Sequence, residues 1–132
     1  MKKRMLPKPT DGELAILSVL WRHGPRTVRE VFAEFNRTRE TGYTTVLKML
    51  QIMAQKGLVT RDETRKTHIY RAELAQGEAQ RRFVGDLLDR VFNGSAHRLV
   101  LQALSTKKAS AAELAEIRRL LDDMEGGGDE RD

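Results

Sequence analysis

The side chains that could do chemistry in this sequence are hydroxyls and cations clustered in one stretch. Tyr43, Thr44, Thr45 and Lys48 fall within six residues, with Arg37 and Arg39 just before them and Arg65 and Lys66 a short distance after. A threonine methyl can touch a thymine methyl, and its hydroxyl can reach a base or a phosphate. Lysine can donate to guanine O6 or N7, and tyrosine can donate to a phosphate. That is the chemistry of holding a polyanion, not of breaking a bond. Catalytic alternatives find little support: cysteine is absent, and there is no phosphate-cradling glycine loop and no nucleophile–base motif. The three histidines, His23, His68 and His97, show no metal-ligand spacing. We therefore expect no enzyme activity, no metal and no cofactor.

Charge distribution points the same way. The 132 residues carry 24 Lys or Arg against 19 Asp or Glu, a net +5. Residues 1–72 hold 15 cations against 7 acids, and residues 73–132 hold 9 against 12. A basic first part suits a polyanionic partner, and the mildly acidic remainder suits another task. Lys2, Lys3, Arg4 and Lys8 could add a basic arm. With 5% aromatic residues there are few stacking platforms, which argues against single-stranded RNA as the partner. No stretch approaches the roughly 20 apolar residues of a spanning helix, and the basic N-terminus lacks the long apolar run of a secretory signal. The absence of cysteine fits a reducing compartment, so a cytoplasmic location without membrane insertion is expected.

The elements that position these residues are marked by three capping boxes, each a Ser or Thr followed three residues later by Glu. Thr10-Asp11-Gly12-Glu13 opens a helix with Leu14, Leu17, Leu20 and Trp21 toward the core, stopped by His23-Gly24-Pro25. Thr27-Val28-Arg29-Glu30 opens a short helix burying Val28, Val31, Phe32 and Phe35. A third helix spans about Tyr43 to Lys56, with Val46, Leu47, Leu50, Met53 and Ala54 inward and Thr44, Thr45, Lys48, Gln51 and Gln55 outward. Met49 and Ile52 fit neither face cleanly and are expected at the rim. Residues 58–62 and 67–71 read as the strands of a hairpin with Arg65 and Lys66 at its tip. Three helices followed by a hairpin make a winged helix-turn-helix, whose recognition helix enters the major groove.

Beyond residue 72 come short amphipathic helices. Phe83, Leu87, Val91 and Phe92 form one apolar stripe, Leu99 and Val100 lie on a second helix, and Leu114, Ile117 and Leu121 lie on a third opened by Ser110-Ala111-Ala112-Glu113. Helices this short can hardly bury such stripes alone, so a second copy of the chain is the expected cover. The fold class is mainly α with a small β-hairpin wing: a winged-helix DNA-binding domain at 9–72, a C-terminal helical dimerisation domain at 73–124 and a disordered tail at 125–132. A winged helix can also serve as a protein-interaction adaptor without specific DNA binding, a reading the basic first part and the wing-tip cations disfavour.

The order of several segments resembles the BlaI/MecI/CopY family of penicillinase repressors. They are Thr10-Asp11-Gly12-Glu13-Leu14 with Val19-Leu20-Trp21, Tyr43-Thr44-Thr45-Val46, Lys56-Gly57-Leu58-Val59 and His68-Ile69-Tyr70. Phe92-Asn93-Gly94-Ser95 and Leu99-Val100-Leu101 are similar to the family's dimerisation region. The resemblance covers about Pro9 to Met124. It implies a homodimeric transcriptional repressor on palindromic operator DNA, relieved in several members when a membrane metalloprotease sensor system triggers cleavage in the C-terminal domain. Two departures stand out. There is no cysteine for the metal site of copper-responsive members, and the positions matching the Asn-Phe bond cut in some members read Gln102-Ala103.

Overall fold

The computed structural model describes residues 6–131, with side chains as far as 126. Lys2, Lys3 and Arg4 of the expected basic arm lie outside the described residues, as does Asp132. The element order is α1 (Asp11–His23), β1 (Arg26–Thr27), α2 (Val28–Phe35), α3 (Tyr43–Lys56), β2 (Val59–Asp62), β3 (Ile69–Ala72), α4 (Gln76–Arg90), α5 (Ala96–Thr106) and α6 (Ala111–Arg131). The chain divides into two compact units between Gly85 and Asp86.

In the first unit, local chemistry sets each helix boundary. Thr10 Oγ1 accepts from the Glu13 backbone N–H at 3.2 Å while Glu13 Oε1 accepts from the Thr10 N–H at 3.0 Å, closing the first capping box. Thr27 and Glu30 repeat the arrangement at 3.2 and 2.9 Å. Helix α1 ends on Gly24, whose φ of 82° few other residues tolerate, with its N–H on the Leu20 carbonyl. Gly57, at φ 84°, ends α3 in the left-handed conformation.

Ile16, Leu17, Val31, Val46, Leu50 and Met53 are sealed from solvent and join α1, α2 and α3 into one core with Leu58 and with Val59 and Tyr70 of the wing strands. The expected inward faces are therefore largely correct, although Leu14, Trp21, Phe32 and Leu47 are only partly buried. Trp21 acts as an anchor, its Nε1–H donating to the Leu74 carbonyl at 2.9 Å. Met49 is partly buried at the edge of the core, in space that Gly12 leaves open by having no side chain. A Cβ on Gly12 would stand 2.8 Å from the Met49 terminal methyl. Ile52 stays 39% exposed.

The sheet has three strands in the order β1-β3-β2, all antiparallel, with Arg26 opposite Tyr70 and Arg61 opposite Tyr70 on the other side. Strand β1 was not expected. Two residues after a Gly-Pro stop give no alternation to read, and only pairing with β3 makes them a strand. Leu58 lies outside the wing strands. Its N–H closes the end of α3 on the Met53 carbonyl, and its own carbonyl accepts from Glu73 and Leu74.

These bonds carry the first unit past the expected boundary at residue 72. Leu74 and Ala79 are buried in its core, and α4, which carries the Phe83 stripe, starts at Gln76. The Arg82 guanidinium donates to the Leu6 carbonyl.

In the second unit the turn Asn93-Gly94 adopts left-handed φ values of 53° and 82°. Ser95 then caps α5 by accepting from the Arg98 N–H at 3.1 Å. Ser110 and Glu113 form the third capping box. His97 lies in the first turn of α5. Helix α6 runs on to Arg131, into the stretch read as a disordered tail. Gly126, Gly127 and Gly128 lower helix stability by about 1 kcal/mol each, but unlike proline they keep the N–H and do not clash, so they weaken a helix without ending it.

Glu13 also ties two helices together. Its Oε2 accepts from Lys56 Nζ at 2.7 Å, joining the start of α1 to the end of α3, and Glu13 as a residue is 5% exposed. Burial pushes its pKa up. The hydrogen bonds from Lys56 and Thr10 and the Lys56 charge outweigh that and hold the carboxyl below its ordinary value of 4.5. A depressed carboxylate stabilises the fold above its unfolded pKa, and the contribution is lost as pH falls through the lower folded value. Glu13→Gln is thus expected to cost about 1–3 kcal/mol near neutral pH. Thermal melts from neutral to acid pH should show a shallower acid loss in the variant than in the parent.

Candidate functional site

The outward face of α3 is bare. Thr44, Thr45, Lys48, Gln51 and Gln55 are all exposed, while Val46, Leu50 and Met53 on the opposite face are sealed. Gly42 is the N-cap of α3 and gives no side-chain cap, so Thr44 sits inside the helix and its hydroxyl is not spent on capping. The chain enters this helix through a turn held by Asn36, whose Oδ1 accepts from the Thr41 N–H at 3.0 Å.

Tyr43 starts α3 and is 37% exposed. Its ring meets Phe32 edge-on at 5.9 Å and 77°, and the Arg29 guanidinium lies 5.2 Å from its centroid. Between α2, the start of α3 and the wing, Val28, Arg29, Tyr43, Leu47, Lys66, Thr67 and His68 line a concavity of about 370 Å³. A second one, about 410 Å³, lies between α3 and the wing, lined by Gln51, Ala54, Gln55, Arg61 and Glu63. The wing tip is ordered by Asp62, whose Oδ1 accepts from both the N–H and the hydroxyl of Thr64 at 3.0 and 2.7 Å. Those hydrogen bonds hold the Asp62 carboxyl below its usual range.

The cations divide into two groups. Arg61 is bound to Glu63 at 2.6 Å, Lys56 to Glu13, and Arg37 to Glu34 at 3.5 Å. By contrast, Arg29, Lys48, Arg65 and Lys66 have no ion-pair partner among the described residues, which leaves their charge available to a polyanion.

Arg37 and Arg39 are not brought to the α3 face. Arg39 lies 5.6 Å from the Phe35 ring, and both arginines line a separate concavity of about 520 Å³ with Arg22, His23 and Glu34. Their proximity in sequence to the recognition helix does not carry them to its outer surface, because the turn ties them back to α2. Two residues missed as site candidates stand out. Gln51 shares the face of Thr44 and Lys48 at helical spacing, and periodicity alone could have marked it. Arg29 is 14 positions from Tyr43, and no sequence signal links them.

The apolar stripes also separate. Phe83 belongs to the first unit, where it lines a groove with Leu14, Trp21 and Ala79 and carries the Lys8 ammonium 5.2 Å from its ring. In the second unit no described side chain is buried. Leu87, Val91, Val100 and Leu121 are exposed, Val91 by 65%, and Phe92, Leu99, Leu114 and Ile117 are half-buried. Gln102 and Ala103 are exposed in the middle of α5. No helix among the described residues is long and apolar enough to cross a membrane.

Comparison with known proteins places this geometry. The penicillinase repressor of Bacillus licheniformis is 25% identical over 123 residues, covering 93% of this chain and 94% of the relative. The transcriptional regulator BlaI of Mycobacterium tuberculosis is 30% identical over 118 residues, covering 89% and 85%. The fold matches the solution structure of monomeric Bacillus licheniformis BlaI in complex with the blaP half-operator. That match has a TM-score of 0.50 and 23% identity, and covers 56% of this chain and 90% of the other. The sequence profile of the penicillinase repressor family matches residues 9–123. With nearly the whole chain matched and a winged helix observed, this protein belongs to the penicillinase repressor family.

Proposed function

We propose that this protein is a DNA-binding transcriptional repressor that acts as a homodimer on palindromic operators. The bare outer face of α3 carries the reading. Thr44, Thr45 and Lys48 stand exposed on a helix whose back is locked in the core, and among the described residues Lys48 and Lys66 form no ion pair, while Arg65 has only the charge of Asp62 nearby without an ion-pair contact. The repressor relatives support it, as does the fold neighbour that is described in complex with a half-operator. In this role Thr44, Thr45 and Lys48 read base edges in the major groove, Tyr43 bonds a phosphate, and Arg65 and Lys66 follow the backbone or the minor groove beside the wing. Arg39 then contributes charge to the approach rather than a contact on the α3 face, and Arg37 is held by Glu34.

The homodimer rests on the second unit, where α5 and α6 bury nothing by themselves. Leu87, Val91, Phe92, Leu99, Val100, Leu114, Ile117 and Leu121 would meet their counterparts on a second copy, leaving Phe83 in the first unit as a packing residue against α1. A two-fold dimer sets half-sites about 34–36 Å apart or a multiple of it. If repression is relieved by cleavage near Gln102-Ala103 through a membrane metalloprotease sensor system, α5 must first unwind. A protease takes an extended strand, and this bond is helical, with Ser105 bonded back to the Leu101 carbonyl at 2.7 Å. A protein-interaction adaptor without DNA binding would have no use for a row of unpaired cations on one face.

Fluorescence anisotropy on duplex DNA from the protein's own upstream region, against a scrambled duplex across a salt series, tests the DNA reading. Selective binding with a steep salt slope is expected, and Lys48→Ala should cost about 1–3 kcal/mol of the preference for the cognate duplex. Equal binding to both duplexes would refute it. Sedimentation velocity tests the assembly. The parent is expected at twice the chain mass, and the double variant Val91→Asp, Leu121→Asp at the monomer mass with its first unit still folded.

A further inference from the structure

The concavity between α2, the start of α3 and the wing has a composition that the base-reading role does not require. In a chain with 19 acidic residues, none lines it. Its polar wall is made of Arg29, Tyr43, Lys66, Thr67 and His68, which come from three separate elements. Arg29 is held over the Tyr43 ring at 5.2 Å, and that ring is itself braced edge-on by Phe32. A guanidinium held over an aromatic face by a cation–π contact keeps N–H donors available, and those donors can fork onto phosphate oxygens. The neighbouring acid is turned away. Glu30 spends its carboxylate on the Thr27 N–H at 2.9 Å, as part of the α2 capping box.

We propose that Arg29, held over the Tyr43 ring and assisted by Lys66 and His68, forms a seat for a single DNA backbone phosphate between the recognition helix and the wing. The seat rests on the DNA-binding reading and adds to it a registering contact separate from Thr44, Thr45 and Lys48. A phosphate held there fixes how far the first turn of α3 enters the groove, because Tyr43 is both the first residue of that helix and the platform for the guanidinium. It carries no sequence information, since every nucleotide presents the same phosphate. Arg29 is thus a positioning residue for the base readers that follow it.

The test uses the full chain with Arg29→Ala and Arg29→Lys on the cognate and scrambled duplexes. Arg29 is exposed, and far-UV circular dichroism melts will confirm that both variants fold. Arg29→Ala is expected to weaken both duplexes by the same factor. It should also shrink the affinity ratio between 50 and 200 mM salt by about three- to fourfold, the effect of one counterion no longer released. Arg29→Lys should restore the salt slope, because it keeps the charge, and recover only part of the affinity, because it loses the planar fork. An unchanged slope in Arg29→Ala, or a loss confined to the cognate duplex, overturns the phosphate seat while the parent's selective binding keeps the repressor reading intact. Failure of the parent to bind either duplex overturns both.

Discussion

Helix α3 is anchored along its back by Val46, Leu50 and Met53, none of which touches solvent, and at its C-terminal end by the 2.7 Å pair between Lys56 and the buried Glu13. Everything else in the first unit follows from keeping this one helix rigid on one side and empty on the other. Pre-ordering matters because a helix that had to order on binding would lose affinity to the entropy of that ordering. Glu13 is economical here. The same carboxylate that caps α1 receives the lysine at the end of α3, so the local signal that starts one helix also clamps another.

Electrostatics then separates structural cations from available ones. Lys56, Arg61 and Arg37 are matched by acids, and their charge is spent within the protein. Lys48, Lys66, Arg65 and Arg29 are not matched among the described residues, and three of them surround the start of α3 or the wing tip. A net charge of +5 spread evenly would say little about function. The same charge sorted into paired and unpaired groups identifies a face.

The two units meet opposite physical demands. The first buries a complete core from its own residues, with Tyr70, Leu74 and Ala79 closing it. The second presents apolar side chains none of which, among the described residues, is fully buried. An apolar face left open in this way is the kind of surface that a second copy of the chain would cover, the arrangement proposed above, whereas the first unit closes its core by itself.

Much of this was written locally in the chain. The three capping boxes placed the starts of α1, α2 and α6, because a hydroxyl and a carboxylate three residues apart act within a single turn. The spacing of Val46, Leu50 and Met53 fixed which face of α3 is hidden and therefore that Thr44, Thr45 and Lys48 are bare. What only the tertiary structure decided depends on partners distant in sequence. Strand β1 exists because β3 lies beside it, and Leu74 and Ala79 join the core because the wing returns them to α1. Arg37 and Arg39 face away from α3 although they are its neighbours in sequence, while Arg29 reaches Tyr43 from 14 positions away. Periodicity and capping act over one or two turns of helix. The seating of a cation on a ring is set by how two helices cross, and no local pattern records that.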